Sequence, residues 1–290
     1  MGYTVPHYIN GEKLDVACAN SHTIYNPALG EAIGKVNFAD KDVCDKAIAA
    51  AKAAFPAWAE TAPIKRARIL FKFRDLLEKY QGDLAQLVTK EHGKTLEDAK
   101  GSVARAIEVV EFHCGLVNQL QGSFSADVTT HIDCHTIRQP LGICAGVSPF
   151  NFPVMVPVWM IIPAIACGNT FILKPSEQDP SAPVRLLELL TEAGLPAGVA
   201  NCLQGDKTAV DYLLAHPDIS AFTAVASTPV AKAIYTSATT HGKRAHTFGG
   251  AKIILSLCPM RIWIKRLMPL SVLLLVQLEN VVWLSLPSWR

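Results

Sequence analysis

The chain reads as an α/β protein built on a parallel sheet with crossover helices, and three observations predict it. From about residue 140 onward, short apolar runs such as "GICAGV" and "TFILK" alternate with segments whose apolar residues recur every three or four positions. The links between these runs are short, as they are where consecutive parallel strands are joined through helices. Ahead of that alternation, residues 40–120 carry helical periodicity with one mostly polar face. Half of the 290 residues are hydrophobic and 18% are charged, which suits a chain that buries a sizeable core rather than a disordered one.

The elements follow in order. The first 35 residues form short extended pieces, punctuated by the turn signals "INGE" at Ile9–Glu12 and "NPALGE" at Asn26–Glu31. Asp40 is placed to cap a helix over "DKDVCDKAIAAAKAAF", and Pro56 is expected to end it. "APIKRARILFKFRDLLEKY", "GDLAQLVTKEHGK" and, from Thr95, "TLEDAKGSVARAIEVVEFHCGLV" continue as amphipathic helices. After Gly122 the pattern turns strand-like and ends in the apolar run before "SPF". A buried strand "TFILK", a helix from near Pro183 to Gly194, the strand "GVANCLQG" and the helix "TAVDYLLAH" come next. The strand "ISAFTAVAS", a helix capped by Ser227 or Thr228 with Pro229 in its first turn, and the strand "RAHTFGG" complete the alternation.

A net charge of +2 provides no footprint for nucleic acid or an anionic membrane. The eight cysteines include no CxxC pair and no metal-ligand rhythm, and the amino terminus has no apolar signal core. Reduced thiols in the cytoplasm are therefore the expectation. The apolar run "SVLLLVQLENVVWLSL" contains Gln277, Glu279 and Asn280, which argues against a membrane span.

Ligands bind parallel sheets at the carboxyl ends of the strands. Three such ends carry polar groups here: "SPFNFP" (148–153), "LKPSEQDP" (173–180) and "AVASTP" (224–229), although no GxGxxG occurs. Lys174 and Glu177, just past a buried strand, can hold a ribose by its hydroxyls or simply pair with each other. Ser227, at a helix start, can donate to a phosphate beside free backbone N–H groups, or serve as a plain cap. Asn151, stiffened between two phenylalanines and two prolines, can donate to an oxyanion, or satisfy buried backbone groups.

The segment "SPFNFPVMVPVWMIIPAIACGNTFILKPSEQDP" resembles the aldehyde dehydrogenase superfamily, and the resemblance runs from about residue 5 to Lys252. Within it, "RAIEVVEFHCG" and "GKRAHTFGGAK" are similar to the CoA-acylating methylmalonate-semialdehyde dehydrogenase branch. The resemblance implies an NAD-binding domain on a Rossmann-type sheet. Ser148 and Phe150 would line the nicotinamide side, and Asn151 would donate to the thiohemiacetal oxyanion. Lys174 and Glu177 would hold the adenine ribose with Gln178 beside them, Glu177 favouring NAD over NADP. Ser227 would meet the pyrophosphate, although Ala226 adds a methyl where the family has glycine. Gly249 would lie near the nicotinamide. Thr247 stands where hydrolytic relatives place a glutamate, and threonine cannot activate water near neutral pH. The resemblance thus implies that coenzyme A takes the acyl group of a small semialdehyde, a hydrolytic enzyme with a space-filling Thr247 being the alternative. Arg105 would fork the substrate carboxylate, or stand solvated on its helix.

One part of the family pattern is missing. Its nucleophilic cysteine would fall at Val281, 34 positions beyond Thr247, within "QLENVVWLSL". Cys258, the one later cysteine, lies 11 positions from Thr247 in an unrelated context. "QLENVVWLS" can be encoded so that a shifted frame reads Ala-Gly-Glu-Arg-Cys-Met-Ala-Leu, which is family-like. "CPMRIWIKR" yields a family-like segment in the same frame. The expectation is an NAD-binding region over residues 1–252, an out-of-frame tail over 253–290 and a catalytic domain largely absent. Such a chain would lack turnover, and with it the carboxyl-terminal arm that relatives use to form homo-oligomers.

Overall fold

The computed structural model describes residues 2–17 and 19–250. The tail, Cys258 and Val281 lie outside the described residues, as does Cys18. Five short strands open the chain: β1 (Tyr3–Val5), β2 (His7–Ile9), β3 (Glu12–Leu14), β4 (Ser21–Asn26) and β5 (Glu31–Asn37). The "INGE" signal is a two-residue turn between β2 and β3. Asn10 and Gly11 both take positive φ there, 56° and 79°, the backbone that fits the twist of a hairpin.

Four helices follow: α1 (Lys41–Glu60), α2 (Pro63–Lys79), α3 (Gln81–His92) and α4 (Leu96–Cys114). The Asp40 carboxylate accepts the Val43 N–H at 2.9 Å, so the expected cap of α1 forms, and Thr95 Oγ1 accepts the Asp98 N–H at 3.2 Å at the start of α4. Pro56 does not end α1. The helix runs on to Glu60 because Trp58 is buried in its last turn and donates its indole N–H to the Ile165 carbonyl at 3.0 Å. That tertiary anchor outweighs the one backbone bond the proline removes. A two-stranded hairpin, β6 (Phe124–Thr129) with β7 (Ile132–His135), is exposed throughout.

The alternating region then forms β8 (Ile143–Val147), α5 (Met155–Ala166), β9 (Thr170–Lys174), α6 (Ser181–Glu192), β10 (Ala200–Cys202), α7 (Lys207–Ala215), β11 (Ile219–Val225), α8 (Thr228–Thr240) and β12 (Arg244–Phe248). The large sheet has the order β12-β11-β8-β9-β10-β2-β3. Its first five strands are mutually parallel, as expected. The expectation of a purely parallel sheet is corrected at one edge, where β2 and β3 pair antiparallel. The remaining early strands make a separate sheet, β1-β5-β4.

Both faces of the central strands β8 and β9 are covered, so these strands are buried almost throughout. Along β9, Phe171 and Leu173 join the core formed with α2, α4, α5 and α6, while Ile172 joins the opposite core with α1, α7 and α8. Each such side chain contributes roughly 1.5–3 kcal/mol relative to exposure. Helix α5 packs against β9, α2 and α4, which explains a sequence apolar on nearly every side despite Pro163.

Candidate functional site

The expected residues gather at the carboxyl ends of four adjacent strands. Gly249 follows β12, Ser227 follows β11, Ser148 to Asn151 follow β8, and Lys174 to Glu177 close β9 and begin its loop. The β8 and β9 ends are tied directly, because the Ser148 N–H donates to the Lys174 carbonyl at 3.1 Å. The β11 and β12 ends are tied by Ala226 N–H to the Phe248 carbonyl at 3.1 Å. Gly249 lies so close to the start of α8 that a Cβ there would come within 3.1 Å of the Thr228 Cα. A larger residue would push that helix start away from the neighbouring strand end.

Several polar groups here are not spent on the protein. The Ser148 hydroxyl is buried and has no hydrogen-bond partner among the described residues. The buried side-chain oxygen of Asn151 is likewise unpartnered, so that acceptor is not occupied with backbone groups. Ser227 occupies the cap position of α8 but makes no side-chain capping bond. Its exposed hydroxyl is therefore not spent on the first N–H groups of the helix, among which Pro229 contributes no donor.

Lys174 and Glu177 pair at 2.8 Å, the lysine buried and the carboxylate half-buried. Burial acts to raise the Glu177 carboxyl, but the Lys174 charge and hydrogen bond overcome it and hold it below the usual range. Gln178 is exposed and lines a small recess with His22, Thr23, Tyr25, Pro27 and Glu91. Phe150 is half-exposed and stacks on His92, ring centroids 5.6 Å apart. Arg105 is not gathered at the strand ends. It stands exposed on α4 and pairs with Glu108 at 2.8 Å, and Glu108 lines a groove with Phe112, Trp159, Met160 and Phe248.

Two neighbours went unread in the sequence. Lys94 is buried and donates its ammonium to the Asn151 carbonyl at 2.8 Å. Asp179, buried between Lys94 and Glu91, has its carboxyl pushed well up by burial and by the Glu91 charge, with Lys94 opposing. The one sequence signal was a basic residue directly after a helix-ending glycine.

No described cysteine is poised as a nucleophile. Burial pushes the Cys44 and Cys144 thiols up to about 12 and Cys114 to about 11, and it raises Cys167 and Cys202 too. Cys134 is exposed on the hairpin strand β7, away from the strand ends just described. Thr247 lies in β12 opposite Ala224 and offers no carboxylate.

A profile of the aldehyde dehydrogenase family matches residues 16–258. The chain belongs to the aldehyde dehydrogenase family. It is 51% identical over 249 residues to a malonate-semialdehyde dehydrogenase of Pseudomonas aeruginosa, covering 86% of this chain and 50% of that protein. Among solved structures, a provisionally named methylmalonate-semialdehyde dehydrogenase from Sinorhizobium meliloti, complexed with NAD, superposes with a TM-score of 0.85 at 50% identity. That match covers 87% of this chain and 51% of the other. A methylmalonate-semialdehyde dehydrogenase from Oceanimonas doudoroffii matches with a TM-score of 0.84 at 47% identity, covering 87% and 51%. This aldehyde dehydrogenase chain spans about half the length of the curated relatives it matches. Among the described residues, no helix is long and apolar enough to cross a membrane, and no cluster of ligating side chains suits a metal.

Proposed function

We propose that the described residues are the NAD-binding half of a CoA-acylating malonate or methylmalonate semialdehyde dehydrogenase, and that the 290-residue chain binds NAD without turning over aldehyde. The observation that carries the first part is the set of unspent polar groups at adjoining strand ends, above all the buried Ser148 hydroxyl and the buried Asn151 side-chain oxygen. These fit a dinucleotide laid across the ends of β9, β8, β11 and β12. When bound, NAD supplies the acceptor for a hydride.

The chain's own residues then divide the work. Glu177 and Lys174 hold the adenine ribose, and the Glu177 charge repels a 2′-phosphate. Ser227 and the head of α8 meet the pyrophosphate. Ser148, Phe150 and Gly249 bound the nicotinamide. Asn151 aims its amide at the oxygen on which charge develops when an aldehyde is attacked. Arg105 holds the substrate carboxylate, which requires it to leave Glu108. With Thr247 in place of a general base, water is not activated and a CoA thiolate is the better acceptor of the acyl group.

The second part rests on chemistry that is missing. An attacking thiolate is needed, the cysteines described above are buried or remote, and the position expected for the nucleophile is Val281. The family match ends at residue 258, which leaves residues 259–290 outside it and is compatible with a change of frame shortly before that point. Titration calorimetry with NAD, followed by assay of NADH formation from malonate semialdehyde and CoA, tests both parts. Saturable binding with no NADH is expected. Absence of binding would sink the cofactor reading, and turnover at an ordinary enzymatic rate would sink the inactivity.

A further inference from the structure

We infer that Lys94 is a positioning residue for Asn151, its buried ammonium fixing the peptide plane from which that amide is aimed. This rests on the proposed role of Asn151 as an oxyanion donor.

The placement begins with Gly93. It ends α3 in the left-handed conformation, φ 86°, where a Cβ would also meet Pro27 at 3.0 Å. The turn sends the Lys94 side chain inward until it is only 3% exposed. Three groups receive its ammonium. The Asn151 carbonyl accepts at 2.8 Å, the Phe152 ring presents its face with the centroid 4.6 Å away, and the Asp98 carboxylate lies at 3.6 Å. Asp179, from the loop after β9, also faces the ammonium and favours its charged form against burial.

Packing alone does not call for a cation in such a place. Burying an ammonium is costly unless its donors are used, and an apolar side chain would fill the same volume more cheaply. What the ammonium adds is direction. It holds two consecutive residues at once, the carbonyl of Asn151 and the ring of Phe152, and so removes the rotation of the peptide between them. The Asn151 side chain, whose buried oxygen has no partner, then inherits its direction from the backbone. A charge-assisted hydrogen bond to a carbonyl is strong enough for that task.

The contact can be read without cofactor by labelling asparagine carbonyls with carbon-13 and phenylalanine nitrogens with nitrogen-15. Only two Asn–Phe pairs occur, Asn37–Phe38 and Asn151–Phe152, and the first serves as an internal control. Lys94→Met is expected to move the Asn151 carbonyl signal upfield and to shift the Asn151 side-chain amide, with the Asn37 signal unchanged. Lys94→Arg, which keeps the charge, should restore part of that shift. If Lys94→Met does not fold, Asp98→Asn at the more exposed partner should move the same signal in the same direction by less. An Asn151 carbonyl that stays put in a folded variant overturns the inference. Because no dinucleotide is present, a chain that fails to bind NAD would refute the proposed function and leave this result to stand separately.

Discussion

The Glu177 carboxylate is held charged by a lysine 2.8 Å away, in a place where burial alone would favour its neutral form. A fixed negative charge at a strand end tolerates ribose hydroxyls and opposes a phosphate, since juxtaposed like charges cost several kcal/mol. Glu177→Gln should therefore raise affinity for NADP relative to NAD by about tenfold or more. Calorimetry with both dinucleotides checks this, and an unchanged ratio would remove Glu177 from the specificity argument. At the same scale, the sequence made Ser148, Asn151, Lys174 and Glu177 legible because each stands within a few residues of a strand end. Lys94 was not legible, because its partner lies 57 positions away and only the folded helix α3 brings them together. Asp179 escaped for the same reason, being buried by Glu91 and Lys94 rather than by its sequence neighbours.

Strand β2 is fastened to the sheet through His7, whose Nδ1 accepts the Gln204 N–H at 3.0 Å while its Nε2 is buried without a partner. Burial lowers this imidazole from its ordinary value of 6.5 to about 4, with Asp15 and Asp40 opposing. The folded chain thus keeps His7 neutral over a range in which the unfolded chain protonates. The unfolded state binds more protons there, so stability present above pH 6.5 is lost as the pH falls toward 4. Complete protonation corresponds to about 3 kcal/mol. The buried acids Glu91 and Asp179, whose carboxyls are raised, act in the other direction, so the histidine is isolated by comparing variants. Urea unfolding at pH 7 and pH 4.5 should show His7→Gln losing less stability on acidification than the parent, and equal losses would contradict the assignment. Elements with strong local signals were read correctly, including the Asp40 cap of α1 and the strands from β8 to β12. Those governed by distant packing were not: α1 passes through Pro56 because Trp58 is anchored on Ile165, and β2 and β3 join the large sheet through pairing that no local pattern announces.

At the scale of the molecule, the described residues bury two cores of their own and leave an apolar groove where Trp159 and Met160 of α5 meet Thr223 and Phe248 of β11 and β12. The central strands of the seven-stranded sheet are covered on both faces by cores whose largest side chains, Phe73, Phe171 and Phe222 among them, are fully buried within residues 2–250. Every residue assigned to NAD lies within the same span. If residues 253–290 are the product of a shifted frame, neither the fold nor the dinucleotide site was shaped around them. A chain ending at Lys252 should then melt within a few degrees of the 290-residue protein and bind NAD within about twofold of it, a difference under about 0.5 kcal/mol. Differential scanning calorimetry and calorimetric titration on the two chains decide the matter. A large drop in melting temperature, or loss of binding, would show that the tail takes part in the fold and would remove the reason to read it as foreign. Peptide mapping of the natively produced protein adds an independent check. A fragment containing Glu-Arg-Cys-Met where this chain has its Val281–Val282 pair would restore the nucleophile, and with it the expectation of turnover.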